Sequence, residues 1–273
     1  MAKLNRKSFI AAAVLGLVAA TGAQAQVSDD AVRIGVMADM TGPYAANGGP
    51  GSLLAVRMAV EDFGGKVLGK PIEILQADDQ NKPDVGTNIA RQWLEQNKVD
   101  TIVGGSASAI ALSVNNMMKA AKKPYLLAGT VSTDLTGKAC SPMNIQFGVD
   151  TYSMPKAGVR GLMDQGAKTF FFITVEGAFG DTSLAAGKAF IEQAGGKVLG
   201  NVKHPLGATD YSSYLLQAQA SKAQAIVIVN AGADQTNALK QAVEYRIARN
   251  GQAVTVFGMT INAVHAMSLD VAQ

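Results

Sequence analysis

The chain has 273 residues, of which 48% are hydrophobic and 16% charged, a globular composition that excludes a largely disordered protein. The formal net charge is +3, and the cations Lys3, Arg6 and Lys7 near the start account for all of it. The remaining basic residues form no cluster that would indicate nucleic acid as a partner. Cys140 is the only cysteine, which excludes an intrachain disulfide, and we expect its thiol to be buried.

The first 25 residues have the three parts of a secretory signal peptide. A positively charged start is followed by an apolar run over 9–20 and by the small residues Ala23 and Ala25. The apolar run is shorter than the roughly 20 residues that a membrane-spanning helix needs. We therefore expect residues 1–25 to be a signal peptide and the mature protein to be periplasmic.

Beyond this segment, short apolar runs alternate with segments that have apolar residues at helical spacing. This alternation predicts parallel sheets with helices on both faces. The predicted strands, all short, are 32–37, 71–77, 101–103, 125–128, 169–174, 198–204, 225–230 and 254–258. The predicted helices are 52–63, 84–96, 109–121, 152–165, 181–194, 211–221 and 235–245.

One internal repeat indicates two similar lobes. The hexapeptide Gly-Gly-Lys-Val-Leu-Gly occurs at 64–69 and again at 195–200, each time after a predicted helix and before a predicted strand. We therefore predict an α/β protein of two doubly wound parallel-sheet lobes with a hinge and a cleft between them. The first lobe is expected over 26–148 and the second over 149–273.

Small and hydroxyl-bearing residues follow two neighbouring strands of the predicted first lobe. The loop 104–108 follows the strand 101–103, and the loop 129–136 follows the strand 125–128. Loops at the carboxyl ends of parallel strands face the same crevice. Hydroxyls, free backbone N–H groups and a helix N-terminus can together hold an anion there. The sequence therefore predicts a carboxylate site at this edge of the sheet.

Several segments resemble the branched-chain amino-acid (leucine-binding) family of ABC-importer substrate-binding proteins, which has the type I periplasmic binding fold. The resemblance is to segments 32–36, 41–44, 78–83 and 134–137. Three further segments, 138–142, 150–152 and 178–180, are similar to a subgroup associated with aromatic or other organic acids. Family members are longer, so the resemblance implies that the second lobe and the segments returning to the first lobe are incomplete in this chain.

The resemblance also implies a function and partners. It implies a monomeric extracytoplasmic protein that captures a small carboxylate by hinge closure and delivers it to an inner-membrane ABC permease. The ligand would be an aromatic or organic acid or a branched-chain amino acid. The alternative is a ligand-sensing receptor module of a signalling system with the same fold, and adjacent permease or kinase genes would distinguish the two.

Nine residues are candidate ligand contacts. Positions matching the family's site imply Asn47, Ser108, Gly129, Thr130, Ser132, Phe179 and Thr260, with Thr130 and Ser132 as alternatives for one hydroxyl role. Tyr152 and Asn230 are added by their position near the cleft, with edge packing and loop structure as the alternatives.

Some of these residues have competing structural roles. Ser108, like Ser106, could simply cap the third helix, and Phe179 could be plain core. His204, which precedes a proline, is expected at the surface at a strand end.

The position of Thr260 bears on the ligand. Relatives place there an acid that pairs with the ligand ammonium, and a buried ammonium needs such a partner. Asp181 lies close to Phe179 in sequence but is expected to be a helix N-cap. The sequence therefore favours a carboxylate ligand without a required ammonium.

The sequence carries no recognisable catalytic motif. Gly-x-Ser-x-Gly is absent, and neither a P-loop nor Gly-x-Gly-x-x-Gly follows the first strand. The two histidines have no nearby paired acids that would indicate a metal or catalytic site. We therefore expect a binding protein and not an enzyme, with no metal and no cofactor.

Overall fold

The computed structural model describes residues 29–257, so the expected signal peptide and Thr260 lie outside the described residues. The strands are β1 Val32–Ala38, β2 Lys66–Val67, β3 Lys70–Asp78, β4 Thr101–Gly104, β5 Tyr125–Leu127, β6 Asn144–Gln146, β7 Thr169–Val175, β8 Lys197–His204, β9 Ala225–Val229 and β10 Ala253–Val256. The helices are α1 Ala45–Asp62, α2 Pro83–Glu95, α3 Ser108–Ala121, α4 Ser153–Asp164, α5 Ala178–Gln193, α6 Ser212–Ala220 and α7 Gly232–Glu244.

The strands form two sheets, which we use to define the two lobes. The first lobe is built on the strand order β2-β3-β1-β4-β5-β6, which is parallel except for the antiparallel pair of β2 and β3. The second lobe is built on the fully parallel order β10-β9-β7-β8. The predicted doubly wound parallel architecture is confirmed. No helix within residues 29–257 is long and apolar enough to cross a membrane.

The second sheet is covered on both faces because successive side chains of a strand point to opposite sides. Phe170 and Phe172 of β7 pack with Val159 of α4 and Ile191 of α5. The alternate β7 residues belong to a separate core with α6 and α7. This arrangement explains why β9 is apolar throughout and why β7 is apolar except for Thr169 and the buried Thr174.

The first sheet is packed mainly on one face. Helices α2 and α3 cover that face through Trp93, Ile110 and Met118, all of which are buried. On α1, by contrast, Gly49 is the one buried residue, and Leu54 and Met58 are more than half exposed. The two lobes therefore differ in how completely their sheets are covered.

Helix α1 begins earlier than its sequence predicts. It starts at Ala45 and not near residue 52, with a break at Gly48, where φ is 178°. The break lies two residues before Pro50, which cannot donate a helical hydrogen bond. The glycines and the proline of this segment predicted a loop, and tertiary contacts of the first turn override that local preference.

The repeated hexapeptide forms two different structures. After α1, Gly64 and Gly65 both have positive φ, and the chain enters the two-residue strand β2, which turns back on β3. After α5, the second copy leads into the eight-residue parallel strand β8. The repeat therefore marks a helix end in both lobes but does not determine the strand that follows.

Two expectations about burial are wrong. His204 is fully buried against Tyr211 and Tyr214 and not on the surface. The Cys140 thiol is exposed and not buried. Strand β6 was not predicted because it has only three residues, two of which, Asn144 and Gln146, are polar; it is an edge strand of the first sheet.

Candidate functional site

A cleft of about 290 Å³ lies between the two sheets, and both lobes line it. Seven of the lining residues belong to the first lobe: Tyr44, Asn47, Ser106, Ser108, Ala128, Gly129 and Val131. The other five are Val149, Met154, Phe179, Ala231 and Phe257. The first lobe contributes the side-chain hydroxyls and the amide, and the second contributes apolar and aromatic surface.

Glycines allow the loops of the first lobe to approach one another closely beneath this cleft. A Cβ on Gly49 would overlap the carbonyl oxygen of Asp39, and one on Gly129 would lie 3.3 Å from the Cα of Ser106. The second contact brings the loops after β4 and β5 together, as the parallel topology requires. The sequence-predicted meeting of these two loops is therefore present in the structure.

Four helices begin at the cleft. The lining residues Asn47, Ser108 and Phe179 lie in the first turns of α1, α3 and α5, and Ala231 is the N-cap of α7. The first N–H groups of a helix have no partner within the helix, and the helix dipole gives this end partial positive charge. At α1 the Ala45 and Asn47 N–H groups already donate to the carbonyls of Gly42 and Tyr44, and at α7 the Ala233 N–H donates to Pro43. The backbone donors offered to the cleft therefore come from the first turns of α3 in one lobe and α5 in the other, while all four helix dipoles point their positive ends at it.

Asp39 organises the loop that carries Tyr44. This fully buried carboxylate accepts the Gly42 N–H at 2.6 Å and the Tyr44 N–H at 2.8 Å. The backbone N–H of Asp39 donates to the hydroxyl oxygen of Ser106 at 3.4 Å. A serine hydroxyl has one donor and two acceptor sites. The bond from Asp39 therefore leaves the Ser106 hydroxyl hydrogen able to donate, and Ser106 lines the cleft.

The residues that line the cleft within 29–257 include no Asp, Glu, Lys or Arg. The titratable group among them is the phenol of Tyr44. Burial, reinforced by the charges of Asp234 and Asp39, raises the pKa of Tyr44 far above its ordinary value. Tyr44 is therefore a neutral hydroxyl at physiological pH, and the electrostatic character of the cleft comes from dipoles and hydroxyls.

Four of the nine candidate contacts line the cleft: Asn47, Ser108, Gly129 and Phe179. Neither Ser106 nor Ser108 caps helix α3, whose N-cap is Ala107 with no side-chain bond. Both serine side chains are thus free of the capping role that the sequence left open.

The candidate hydroxyls of Thr130 and Ser132 do not line the cleft. Ser132 is fully buried, and its hydroxyl accepts the Asp134 N–H at 3.3 Å, which caps the 3-10 turn Thr133–Leu135. The Thr130 hydroxyl is buried and makes no hydrogen bond within the described part of the chain. The cleft wall at this loop is formed instead by Gly129 and Val131.

Tyr152 and Asn230 also lie away from the lining. Tyr152 is 52% exposed and packs edge-on against Phe190, with ring centroids 4.9 Å apart. The buried Asn230 amide lies 3.4 Å from His204 Nε2 and 3.5 Å from the Tyr211 hydroxyl. The structure therefore places Tyr152 in edge packing and Asn230 in a buried polar cluster of the second lobe.

The expectation that Asp181 is a helix N-cap is wrong. Helix α5 begins three residues earlier, at Ala178, and Gly177 is its N-cap. The Asp181 carboxylate instead accepts a hydrogen bond from Lys203 Nζ at 2.6 Å on the exposed surface. Asp181 is not among the residues that line the cleft.

Sequence reasoning missed much of the apolar lining. Met154, Ala231 and Phe257 come from three separate elements of the second lobe and belong to no motif. Tyr44 and Ser106 had a signal, since both lie in loops after predicted strands, but neither was chosen. An apolar residue that faces a cleft has the same local pattern as one that faces a core.

A family model described as periplasmic binding protein matches residues 31–273. A crystal structure of a periplasmic binding protein from Burkholderia mallei is 44% identical, with a TM-score of 0.86 over 89% of this chain and 65% of that one. A branched-chain amino acid ABC transporter periplasmic ligand-binding protein from Burkholderia xenovorans is 37% identical, with a TM-score of 0.72 and the same coverages.

Among curated proteins, the Leu/Ile/Val-binding protein homolog 6 of Brucella abortus is 23% identical over 198 residues. The match covers 72% of this chain and 50% of that protein. The chain therefore spans about half the length of this curated relative and about two thirds of the solved structures.

Proposed function

Because the chain belongs to the periplasmic binding protein family, we propose that it is the extracytoplasmic solute-binding component of an ABC importer. It captures a small carboxylate between its lobes and presents the closed form to a membrane permease. The polypeptide performs no chemistry on the ligand. The expected signal peptide and the family's periplasmic character support a periplasmic location.

One observation carries the proposal about the ligand: four helix N-termini meet at a cleft whose described lining has no charged side chain. Backbone N–H groups and partial positive charge at helix starts favour an anion. The hydroxyls of Ser106 and Ser108 add donors next to those of the backbone. A carboxylate would therefore be held on the first lobe without a basic side chain.

The same lining argues against a ligand that also carries an ammonium group. A buried ammonium requires a carboxylate or several acceptors, and the residues that line the cleft within 29–257 provide no acid. Phe179, Phe257 and Met154 instead offer an apolar wall to the body of the ligand. We therefore propose an aromatic or short organic acid in preference to a branched-chain amino acid, although a similar protein is named for the latter.

Isothermal titration calorimetry with three probes tests this proposal. Benzoate has the ring and the carboxylate, benzyl alcohol lacks the carboxylate, and leucine adds the ammonium. We expect heat of binding with benzoate, none with benzyl alcohol and weaker binding of leucine. Tight binding of leucine without binding of benzoate would overturn the choice of ligand class.

Ser108→Ala and Ser113→Ala form a matched pair on helix α3. Loss of a hydrogen bond to a charged group costs about 1.5–3 kcal/mol, so Ser108→Ala should weaken benzoate binding by about ten- to a hundredfold. The Ser113 hydroxyl bonds the Ala109 carbonyl within the helix and does not line the cleft, so its removal should leave affinity unchanged. Equal effects of the two substitutions would contradict the assigned role of Ser108.

A further inference from the structure

Pro43 of the first lobe makes a direct contact with the second lobe at the rim of the cleft. Its carbonyl oxygen accepts the N–H of Ala233, in the first turn of α7, at 3.1 Å. Helices α1 and α7, which start on either side of this bond, are in contact across the gap between the lobes. This backbone hydrogen bond joins the two lobes without any ligand atom.

Two glycines of the second lobe make room for Pro43. Gly232 has φ of +60°, and a Cβ there would overlap the Pro43 carbonyl oxygen. Gly207 has φ of +81°, and a Cβ there would lie 3.8 Å from Pro43 Cγ. We call Gly207 and Gly232 the proline seat. Any side chain at Gly232 would prevent Pro43 from occupying the seat as it does here.

Buried carboxylates fix both sides of this contact. Asp234 is 1% exposed and accepts the Gly207 N–H at 3.0 Å, which ties one glycine of the seat to the helix that carries the other. On the first lobe, Asp39 accepts the N–H groups of Gly42 and Tyr44, the two neighbours of Pro43. Proline itself has a fixed φ and no N–H to satisfy. The backbone on each side of the contact, around Pro43 and around the proline seat, is therefore fixed by hydrogen bonds within its own lobe.

We propose that Pro43 and the proline seat form a latch that stabilises the closed arrangement of the lobes and slows ligand release. This inference rests on the proposed binding function, but the latch itself touches no ligand. Tyr44 and Ala231 adjoin the latch on its two sides and line the cleft. Cleft and latch therefore form and separate together. A contact that is lost when two lobes separate shifts the population toward the joined arrangement.

Two substitutions break the latch by different means. Gly232→Ala introduces the overlap with the Pro43 carbonyl. Ala233→Pro removes the donor N–H, at a position in the first helical turn where proline is tolerated. Loss of one hydrogen bond predicts roughly two- to tenfold faster ligand release in Ala233→Pro, and Gly232→Ala should release ligand at least as fast.

Matched controls separate closure from local strain. Gly251→Ala places a side chain at φ of +86° in the same lobe with open space around it. Ser213→Pro puts proline at the second position of α6, which corresponds to position 233 in α7. Both controls carry the backbone cost of their partner variants but do not touch Pro43. Circular dichroism confirms the folding of each variant, and Ala233→Pro decides the test if Gly232→Ala does not fold.

Two measurements test the latch. Spin labels on exposed Cys140 and on Lys222→Cys of the second lobe report the distance between lobes without ligand. Stopped-flow dilution of the benzoate complex gives the release rate. Longer label distances in the latch variants than in their controls support the latch, and identical distances and release rates overturn it. Longer distances without any benzoate binding by the parent chain would retain the latch and refute the proposed ligand class.

Discussion

The buried carboxyl of Asp79, directly after β3 in the first lobe, predicts a pH dependence of stability that can be measured. Its side chain is fully buried, Oδ1 accepts the Asn81 N–H at 2.9 Å, and Oδ2 has no hydrogen-bond partner within the described residues. Burial raises the pKa of Asp79 from 3.8 to about 6, and the charges of Asp39 and Asp78 act in the same direction against the Asn81 hydrogen bond. The folded protein therefore keeps this carboxyl protonated up to a higher pH than the unfolded chain does.

The sign of the effect follows from proton binding. Between pH 3.8 and about 6 the folded state keeps a proton that the unfolded state has released, so ionisation disfavours folding as the pH rises through this window. One pKa unit corresponds to about 1.4 kcal/mol. Linkage then gives a loss of about 1 kcal/mol at pH 4.5 and about 3 kcal/mol at pH 7.5.

Asp79→Asn removes the titration and keeps an oxygen that can accept the Asn81 N–H. The free energy of unfolding of the variant relative to the parent should therefore rise by about 2 kcal/mol between pH 4.5 and pH 7.5. A constant cost of burying the amide shifts both values equally and leaves this difference unchanged. Urea denaturation followed by circular dichroism at the two pH values measures it.

The neighbouring Asp78 is the matched control with the opposite sign. Partial burial opposes ionisation there, but hydrogen bonds from Thr41, Met40 and Gln80 outweigh it and lower the pKa of Asp78. Its contribution to stability is present above the unfolded pKa and is lost as the pH falls. Because that loss occurs at and below the unfolded pKa of 3.8, the stability of Asp78→Asn relative to the parent should stay nearly constant between pH 4.5 and pH 7.5 and should improve only at lower pH. A pH-independent effect of Asp79→Asn would refute the inference that burial raises the pKa of this carboxyl.

Two further predictions concern the loops beneath the cleft. Gly104→Ala should lower the free energy of unfolding by about 3 kcal/mol or more, because φ there is +152° and a Cβ would overlap the Met37 carbonyl. Its control Gly161→Ala, in open space within α4, should raise stability by about 0.5–1 kcal/mol, and a similar loss in both would contradict the close-approach argument. Asp39→Asn should cost about 1–3 kcal/mol in urea denaturation because the N–H groups of Gly42 and Tyr44 bond different carboxylate oxygens and an amide replaces one of these with an NH2 donor; calorimetry should also show weaker benzoate binding. Unchanged stability and affinity would show that the loop does not depend on this carboxylate.

The sequence predicted the fold because strand and helix periodicities are local. Strand β7 is rich in phenylalanine and β-branched residues along its whole length because both of its faces are covered, and this pattern correctly indicated a parallel sheet. Helix α1 was predicted to start late because Gly48 and Pro50 are locally unfavourable for helices. Its first turn depends on Gly49 packing against Asp39, a contact that no local pattern reveals.

The site was predicted only in part, for a related reason. Ser108 and Gly129 could be placed because they follow strands, and strand ends define the cleft edge of a parallel sheet. Ser132 has the same composition signal, but its hydroxyl is used to cap a 3-10 turn. Which of several neighbouring hydroxyls faces the cleft depends on the path of a loop through a few residues. That path is set by contacts between distant segments.

The first lobe lines the cleft with hydroxyls and an amide, and the second with apolar and aromatic side chains. This difference gives a physical reason for lobe closure and ligand binding to depend on each other. The polar groups of the first lobe can hold a carboxylate in an open cleft, but water competes with them there. Phe179, Phe257 and Met154 come from the second lobe, so they exclude that water only once the lobes meet. Removing water strengthens each polar contact of the first lobe. Under the proposed function, a carboxylate ligand would favour closure by filling the apolar wall, and closure would favour that ligand by desolvating its anionic end.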